Sequence, residues 1–324
     1  MVFDLKKIKN LSIIGQRATL GTCLFEIEEN YENLLVLSAD TSTSAGLDKF
    51  RKIKPHKYIE MGISEQNMIG VAAGLSSENL NVLTTTFSPF QTLRCLEQIK
   101  VNLGYMQFKV TMVGLASGVA LGTLGYTHCS IEDLSIIYSI PNIKIISPAD
   151  SLETYKSVMA SLDSKDSTYI RLTGNAPSNI VYNEDYKFEI GKANLITNYG
   201  IDACIISCGS MVYHSKKASE ILLEKNIKTS VYNFHTIRPL DKNILENIFE
   251  KFNLIITVEE HNVVNGLGSV IANEIVSFKK KIRLKKLGLP HNYEKSGEYG
   301  DLLNFYNLNS KGIAEEVAQL INNE

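Results

Sequence analysis

The stretch VTMVGLASGVALGTLGYTHCSI (110–131) decides how the rest of the chain is read. It contains no charged residue, and Gly114, Gly118 and Gly122 fall four apart. That pattern imitates a membrane-spanning helix with a small-residue packing stripe. Its composition argues against that reading. Only Val110–Leu115 is a compact apolar run, and the remainder is Gly, Ser, Thr, Tyr and His, too polar and too glycine-rich to face lipid. A buried strand running into a long glycine-rich loop accounts for both parts.

Outward from this stretch the chain alternates short apolar runs with helical patterns. On the N-terminal side, Arg17 to Tyr31 reads as a helix with Leu20, Leu24, Ile27 and Tyr31 on one face. Strands are predicted at 34–37, 57–59 and 81–86, with a polar loop over Ala39 to Gly46. Ser64 opens a helix over 65–76, and Pro89 suits the first turn of another that runs to about Leu103. On the C-terminal side, Ser130-Ile131-Glu132-Asp133 has the form of a capping box, and Asp150-Ser151-Leu152-Glu153 caps a further helix. Strands are predicted at 143–146 and 169–172. Such alternation predicts an α/β fold with a mostly parallel sheet and helices on both faces. Residues 174–187 lose apolar periodicity and mark a boundary, giving domains over 1–180 and 188–324. The second, smaller α/β/α domain has predicted strands near 203–207, 229–232, 254–258 and 282–287. Its helices fall near 210–225, 241–250, 266–278 and 311–322.

The totals narrow the function classes. The 324 residues carry 33 Lys+Arg against 35 Asp+Glu, a net charge of −2, which leaves no electrostatic footprint for nucleic acid or anionic lipid. The five cysteines are scattered without a C-x-x-C pair, which argues against a disulfide framework or zinc cluster and for reduced thiols in a cytoplasmic protein. The opening MVFDLKKIKN lacks the apolar core of a signal peptide. No phosphate-binding P-loop, G-x-G-x-x-G, G-x-S-x-G or metal-ligand cluster is present.

Ligands of open α/β sheets bind at the carboxyl ends of the strands. Four segments qualify: 39–46, 60–65, 84–90 and 116–130. Glu65 is either a helix-start acid stabilised by the helix dipole or a partly buried carboxylate that exchanges a proton. His128 is either a solvated loop residue or a group held where Gly122 and Gly125 let a ligand approach the backbone. Phe87 and Phe90 serve either as core or as a shelf for a ring.

Four stretches in order, GISEQNMIGVAAGL (62–75), TFSPFQTLRCLEQI (86–99), GTLGYTHCSIEDLSIIYSIPNIKIISPAD (122–150) and TVEEHNVVNGLGSVIANEI (257–275), resemble the C-terminal part of a transketolase. The resemblance spans nearly the whole chain and implies a pyrimidine-binding domain followed by a transketolase C-terminal domain. It implies thiamine diphosphate as cofactor. Glu65 takes the place of the family glutamate that hydrogen-bonds the aminopyrimidine and shifts it to its imino tautomer. Phe87 and Phe90 take the aromatic pocket, with Leu93 where a third ring is expected. His128 takes the place of the histidine that hydrogen-bonds the substrate. Arg17 and Ser44 match family positions that hold the substrate phosphate, and Asp40 one that lies near the cofactor.

Departures from the family pattern fall on the sugar side. Leu124 replaces an aspartate that contacts a sugar hydroxyl, Ala116 replaces a histidine, and Leu172-Thr173-Gly174-Asn175 lacks the expected phosphate arginine, with Arg171 standing on the strand itself. Asn265 stands where relatives often carry Gly. The resemblance therefore implies transfer of a two-carbon ketol unit from a ketose donor to an aldose acceptor, with a modified or non-standard sugar. The GDG motif with which the family's N-terminal domain binds diphosphate and metal is absent, so the resemblance implies that the Mg²⁺ (or Ca²⁺) and diphosphate ligands come from an N-terminal subunit, in an α2β2 heterotetramer. A deoxyxylulose phosphate synthase-like protein, a 2-oxo acid dehydrogenase β subunit and a non-catalytic scaffold remain as alternatives.

Overall fold

A computed structural model describes residues 2–322. In chain order come α1 (Leu5–Ile27), β1 (Leu34–Ser38), α2 (Asp48–Ile53), β2 (Tyr58–Glu60), α3 (Glu65–Ser77), β3 (Asn81–Phe87), α4 (Ser88–Gln91), α5 (Leu96–Gln98), β4 (Val110–Ser117), α6 (Asp133–Tyr138), β5 (Ile143–Ile146), α7 (Ser151–Leu162) and β6 (Ser167–Thr173). Then follow β7 (Asn194–Asn198), β8 (Ala203–Ser207), α8 (Met211–Glu224), β9 (Thr229–Asn233), β10 (Thr236–Arg238), α9 (Lys242–Lys251), β11 (Leu254–Asn262), α10 (Leu267–Val276), β12 (Arg283–Leu289), α11 (Tyr299–Phe305) and α12 (Ser310–Asn322).

The strands form two sheets, a seven-stranded one in the order β10-β5-β6-β4-β3-β1-β2 and a five-stranded one in the order β12-β11-β8-β9-β7. Both are parallel apart from one edge strand each, β10 and β7. Every residue of β4 is buried, so its apolar run shows no alternation, as a strand covered on both faces requires. The two halves are not independent. β10 belongs to the second half of the chain but pairs with β5 in the first sheet. One apolar core runs through Leu37, Met112 and Tyr169 into Ile206, Phe234 and Phe249.

The α/β class and every predicted strand stand, while several local expectations change. The first helix begins at Leu5, capped by Asp4, whose carboxylate accepts from the Lys7 N–H, and it is interrupted at Gly15 (φ 77°). Gly15 lies against Ala176, where a Cβ would come within 2.8 Å of the Ala176 Cβ. Tyr31 falls beyond that helix and donates its hydroxyl to Asp163 at 2.8 Å. The helix expected through Leu103 is broken into α4, a 3-10 turn, α5 and a π-turn over Ile99–Tyr105. The box at Ser130 does not cap a helix. Ser130 forms a backbone bridge to Gly118, Glu132 Oε2 accepts from the Ile131 N–H, and α6 starts uncapped at Asp133. The Asp150 cap does form, accepting from the Glu153 N–H at 2.9 Å. The elements α2, β7, β10 and α11 have no counterpart among the predicted ones. They are short or lie at edges, where tertiary contacts outweigh local pattern.

Candidate active site

The carboxyl ends of β1, β3 and β4 turn into the loops that carry most of the candidate residues. Glu65 begins α3 and is 3 % exposed. Its Oε1 accepts from Arg94 Nη1 at 2.6 Å, while Oε2 takes no hydrogen bond from the described residues. The Arg94 guanidinium lies over the Phe90 ring at 3.9 Å. Phe90 meets the His128 imidazole edge to face at 5.3 Å, and Phe87 completes the group at 6.3 Å from His128 and 6.5 Å from Phe90. His128 Nδ1 pairs with the Thr127 hydroxyl at 2.9 Å. The fold thus joins Glu65, Phe87, Phe90 and His128 through Arg94, a residue that motif reading missed. Its only sequence signal is a cation close behind two aromatics. Phe90, Arg94, Thr127 and Tyr293 line a cleft of about 370 Å³ beside this cluster.

The loop presenting His128 is held from beneath. Gly118 and Ser130 pair through both backbone groups at 2.8 Å. Glu260, from β11, accepts the Val119 N–H on Oε1 at 2.9 Å and the Tyr299 hydroxyl on Oε2 at 2.8 Å. Burial pushes the Glu260 carboxyl above its usual range. Gly118, at φ 69°, packs so closely on Glu260 that a Cβ would overlap its carboxylate. Ser88 and Ser117 share a hydrogen bond that ties α4 to the end of β4.

Arg171 is buried in this support, at 1 % exposure, and not open to a ligand. Its Nε donates to Asp133 Oδ2 at 2.7 Å and its Nη2 to the carbonyls of Ser130 and Glu260 at 3.2 and 2.8 Å. The Tyr169 hydroxyl donates to the same Asp133 oxygen at 2.7 Å.

Arg17 and Ser44 lie together elsewhere. With Thr43, Gly174 and Asn175 they line a cavity of about 260 Å³. Among the described residues the Arg17 side chain makes no hydrogen bond or ion pair, and partial burial lowers its pKa. A desolvated, unpaired cation is costly unless a ligand answers it. Asp40 joins neither group through a side-chain bond. It sits exposed at the end of β1 with φ 54°, its N–H donating to Glu60 Oε1 at 2.8 Å.

Four departures have visible places. Leu124 is exposed in a turn over Gly122–Leu124, and Gly174 lines the Arg17 cavity. Ala116 is buried at φ 53° where the β4–β6 register shifts. Asn265 adopts φ 59°, a left-handed conformation that Gly and Asn tolerate best, which explains why either residue serves there.

Comparison with known proteins places the chain. Residues 14–177 match the description "Transketolase, pyrimidine binding domain" and residues 191–313 match "Transketolase, C-terminal domain". An apulose-4-phosphate transketolase subunit of Phocaeicola vulgatus is 31 % identical over 96 % of this chain and 98 % of its own length. A 6-deoxy-6-sulfo-D-fructose transketolase subunit of a Clostridium species is 30 % identical over 94 % of each. The solved structure described as "Split gene transketolase, inactive beta4 tetramer" superposes with a TM-score of 0.86 at 29 % identity, covering 95 % of this chain and 99 % of that one. Matched in both halves and alongside split subunits of its own length, the chain belongs to the transketolase family, as the transferase subunit carrying the pyrimidine-binding and C-terminal domains.

Proposed function

We propose that this chain works with an N-terminal subunit as a thiamine diphosphate-dependent transketolase, moving a two-carbon ketol unit from a modified ketose to an aldose or aldehyde acceptor. The observation that carries the reading is the joined cluster of Glu65, Phe90 and His128. Its residues fit the cofactor: half-buried Phe90 lines a cleft, Phe87 lies behind it at 6.5 Å, and the buried Glu65 carboxylate has one oxygen without a hydrogen-bond partner among the described residues. Thiamine diphosphate, when bound, supplies the carbon nucleophile. Phe87 and Phe90 hold its aromatic ring by stacking and exclude water from that face. Glu65 would share a proton on Oε2 with a ring nitrogen, donating as the carboxyl and accepting once that nitrogen is protonated. His128 hydrogen-bonds the substrate hydroxyl or carbonyl. Arg17 and Ser44 take an anionic tail, for which a guanidinium fork is suited. Asp40 stands near the cofactor at the mouth of the site.

Mg²⁺ or Ca²⁺ and the diphosphate belong in this reading to the partner. Among the described residues no group of three His, Cys, Asp or Glu is arranged to hold a metal ion. The exposed face of α3 supports docking of that partner, since Gly70 and Gly74 have no atom within 4 Å of a built Cβ. An α2β2 assembly in the cytoplasm completes the proposal. The five buried thiols suit a reducing compartment.

The modified sugar is supported by the departures at Ala116, Leu124 and Gly174, and by relatives whose names specify apulose 4-phosphate and sulfofructose. The test is reconstitution with the partner, then a panel of donors: D-fructose 6-phosphate, D-xylulose 5-phosphate, apulose 4-phosphate and 6-deoxy-6-sulfo-D-fructose. Products are read by mass against aldehyde acceptors. Ordinary transketolase rates on the common pentose and hexose phosphates would remove the modified-sugar claim. Decarboxylation of pyruvate in place of ketol transfer would favour the synthase or dehydrogenase alternatives.

A further inference from the structure

The glycine-rich loop carries no charge of its own, yet a cavity beside it holds two opposite charges. About 290 Å³ in volume, it is lined by Arg17, Gly122, Thr123, Asn175, Glu298 and Tyr299 among others. Arg17 comes from α1, while Glu298 comes from the C-terminal domain, at the start of α11. The Gly297 N–H donates to the Gly122 carbonyl at 3.0 Å, which fixes Glu298 against the loop. Packing at this seam is close, because a Cβ on Gly122 would meet the Gly297 carbonyl at 2.6 Å.

No bond among the described residues holds the Glu298 carboxylate, although its charge suits the N-terminus of α11. It occupies the N-cap position of α11, but its side chain accepts no capping hydrogen bond. Among the described residues its carboxylate makes no hydrogen bond or ion pair, not even with Arg17 across the same cavity. The two charges thus leave between them a gap with a cation on one side and an acceptor-only group on the other. A ligand that spans it must offer an anionic end to Arg17 and a hydrogen-bond donor to Glu298. A polyhydroxylated chain ending in a phosphate or sulfonate has both. Leu124, exposed next to Thr123 of this lining, offers no side-chain acceptor, and among the described residues Glu298 is the only carboxylate that lines the cavity.

We propose that Glu298 of the C-terminal domain is a specificity-determining residue, accepting a hydrogen bond from a hydroxyl of the sugar chain while Arg17 holds the anionic end. The proposal rests on the transketolase reading above and gives the C-terminal domain a share in substrate choice. Glu298 is exposed and unbonded, so Glu298→Gln and Glu298→Asp leave the fold intact.

The test uses the reconstituted two-subunit enzyme with two kinds of donor. One is the ketose of the panel that turns over fastest. The other is hydroxypyruvate, which carries the same ketol unit but no hydroxylated tail. Loss of one charged hydrogen bond predicts that Glu298→Gln lowers the ratio of kcat/KM, ketose over hydroxypyruvate, by roughly tenfold, mainly through KM. Glu298→Asp should recover part of that ratio. An unchanged ratio in Glu298→Gln overturns the proposal, as does an equal fall for both donors, which would make Glu298 a structural residue. Turnover of hydroxypyruvate with no ketose accepted counts against it as well. If the wild-type complex transfers a ketol unit from no donor, the transketolase reading itself fails, and this inference with it.

Discussion

Arg94 holds one oxygen of the Glu65 carboxylate at 2.6 Å, and among the described residues nothing holds the other. Removing the carboxylate leaves α3 its start and its packing, because Met68, Ile69, Ala72 and Ala73 bury the helix. Glu65→Ala should therefore lower kcat of the reconstituted enzyme by roughly 10²–10⁴ while sedimentation shows the same assembly. Unchanged turnover would point to a scaffold. Another buried carboxylate, Glu259, holds the start of α10 and offers a test of the electrostatics. It accepts the Leu267 and Gly268 N–H groups at 2.6 and 2.8 Å, and burial pushes its pKa up to about 7. A carboxyl raised in the native state binds its proton more tightly there than when unfolded. The stability it contributes is full below about 4.5 and is lost as pH rises through about 7. Glu259→Gln, which never ionises, should escape that loss. Urea melts at pH 5 and pH 8 should show the wild-type advantage over the variant shrinking by on the order of 2 kcal/mol.

Among the elements, the loop over 118–130 depends on contacts that its own sequence does not contain. The paired Arg171 and Asp133 sit under it, both essentially without exposure. A buried pair of this kind is costly to break, because the surviving charge has no water to turn to. Asp133→Ala should destabilise the chain by about 3–5 kcal/mol in urea unfolding, against little change for an exposed pair such as Arg51–Asp48. Above the loop, Gly122 faces Leu302 and the Gly297 carbonyl. Gly122→Ala is expected to cost about 1–3 kcal/mol by overpacking and to displace His128, seen as a fall in kcat in the reconstituted enzyme. The irregular course of the loop is legible from its glycines, whereas its helix-capping signal at Ser130 misleads. Ser130 is taken by a backbone bridge to Gly118, a partner twelve residues away that no local pattern announces.

At the scale of the whole molecule, the two domains share a core and a strand, so the C-terminal half is more than an assembly module. β10 closes the first sheet, Glu260 supports the loop that presents His128, and Glu298 lines a second cavity that Arg17 also borders. The face of α3 that shows Gly70 and Gly74 is uncovered among the described residues. The chain alone should bind thiamine diphosphate weakly and turn over no sugar. Mixing with the partner subunit and Mg²⁺ should restore both, measured by titration calorimetry and product formation. Chelation should then abolish activity of the complex without shifting the melting of the isolated chain. Full turnover by the isolated chain would contradict the split-subunit reading.

The sequence by itself determined the fold class, the strands at 34–37, 81–86, 110–115 and 203–207, and the candidates Glu65, Phe87, Phe90 and His128. These rest on apolar runs and on motifs contiguous in the chain, which local chemistry writes plainly. Only the tertiary structure decided that Arg94 bridges Glu65 to Phe90, that Arg171 is a buried internal strut, and that Glu298 and Arg17 line one cavity. Those facts depend on side chains far apart in the chain meeting in space. A charge in a sequence carries no mark of whether folding will bury it against a partner or leave it open to a ligand.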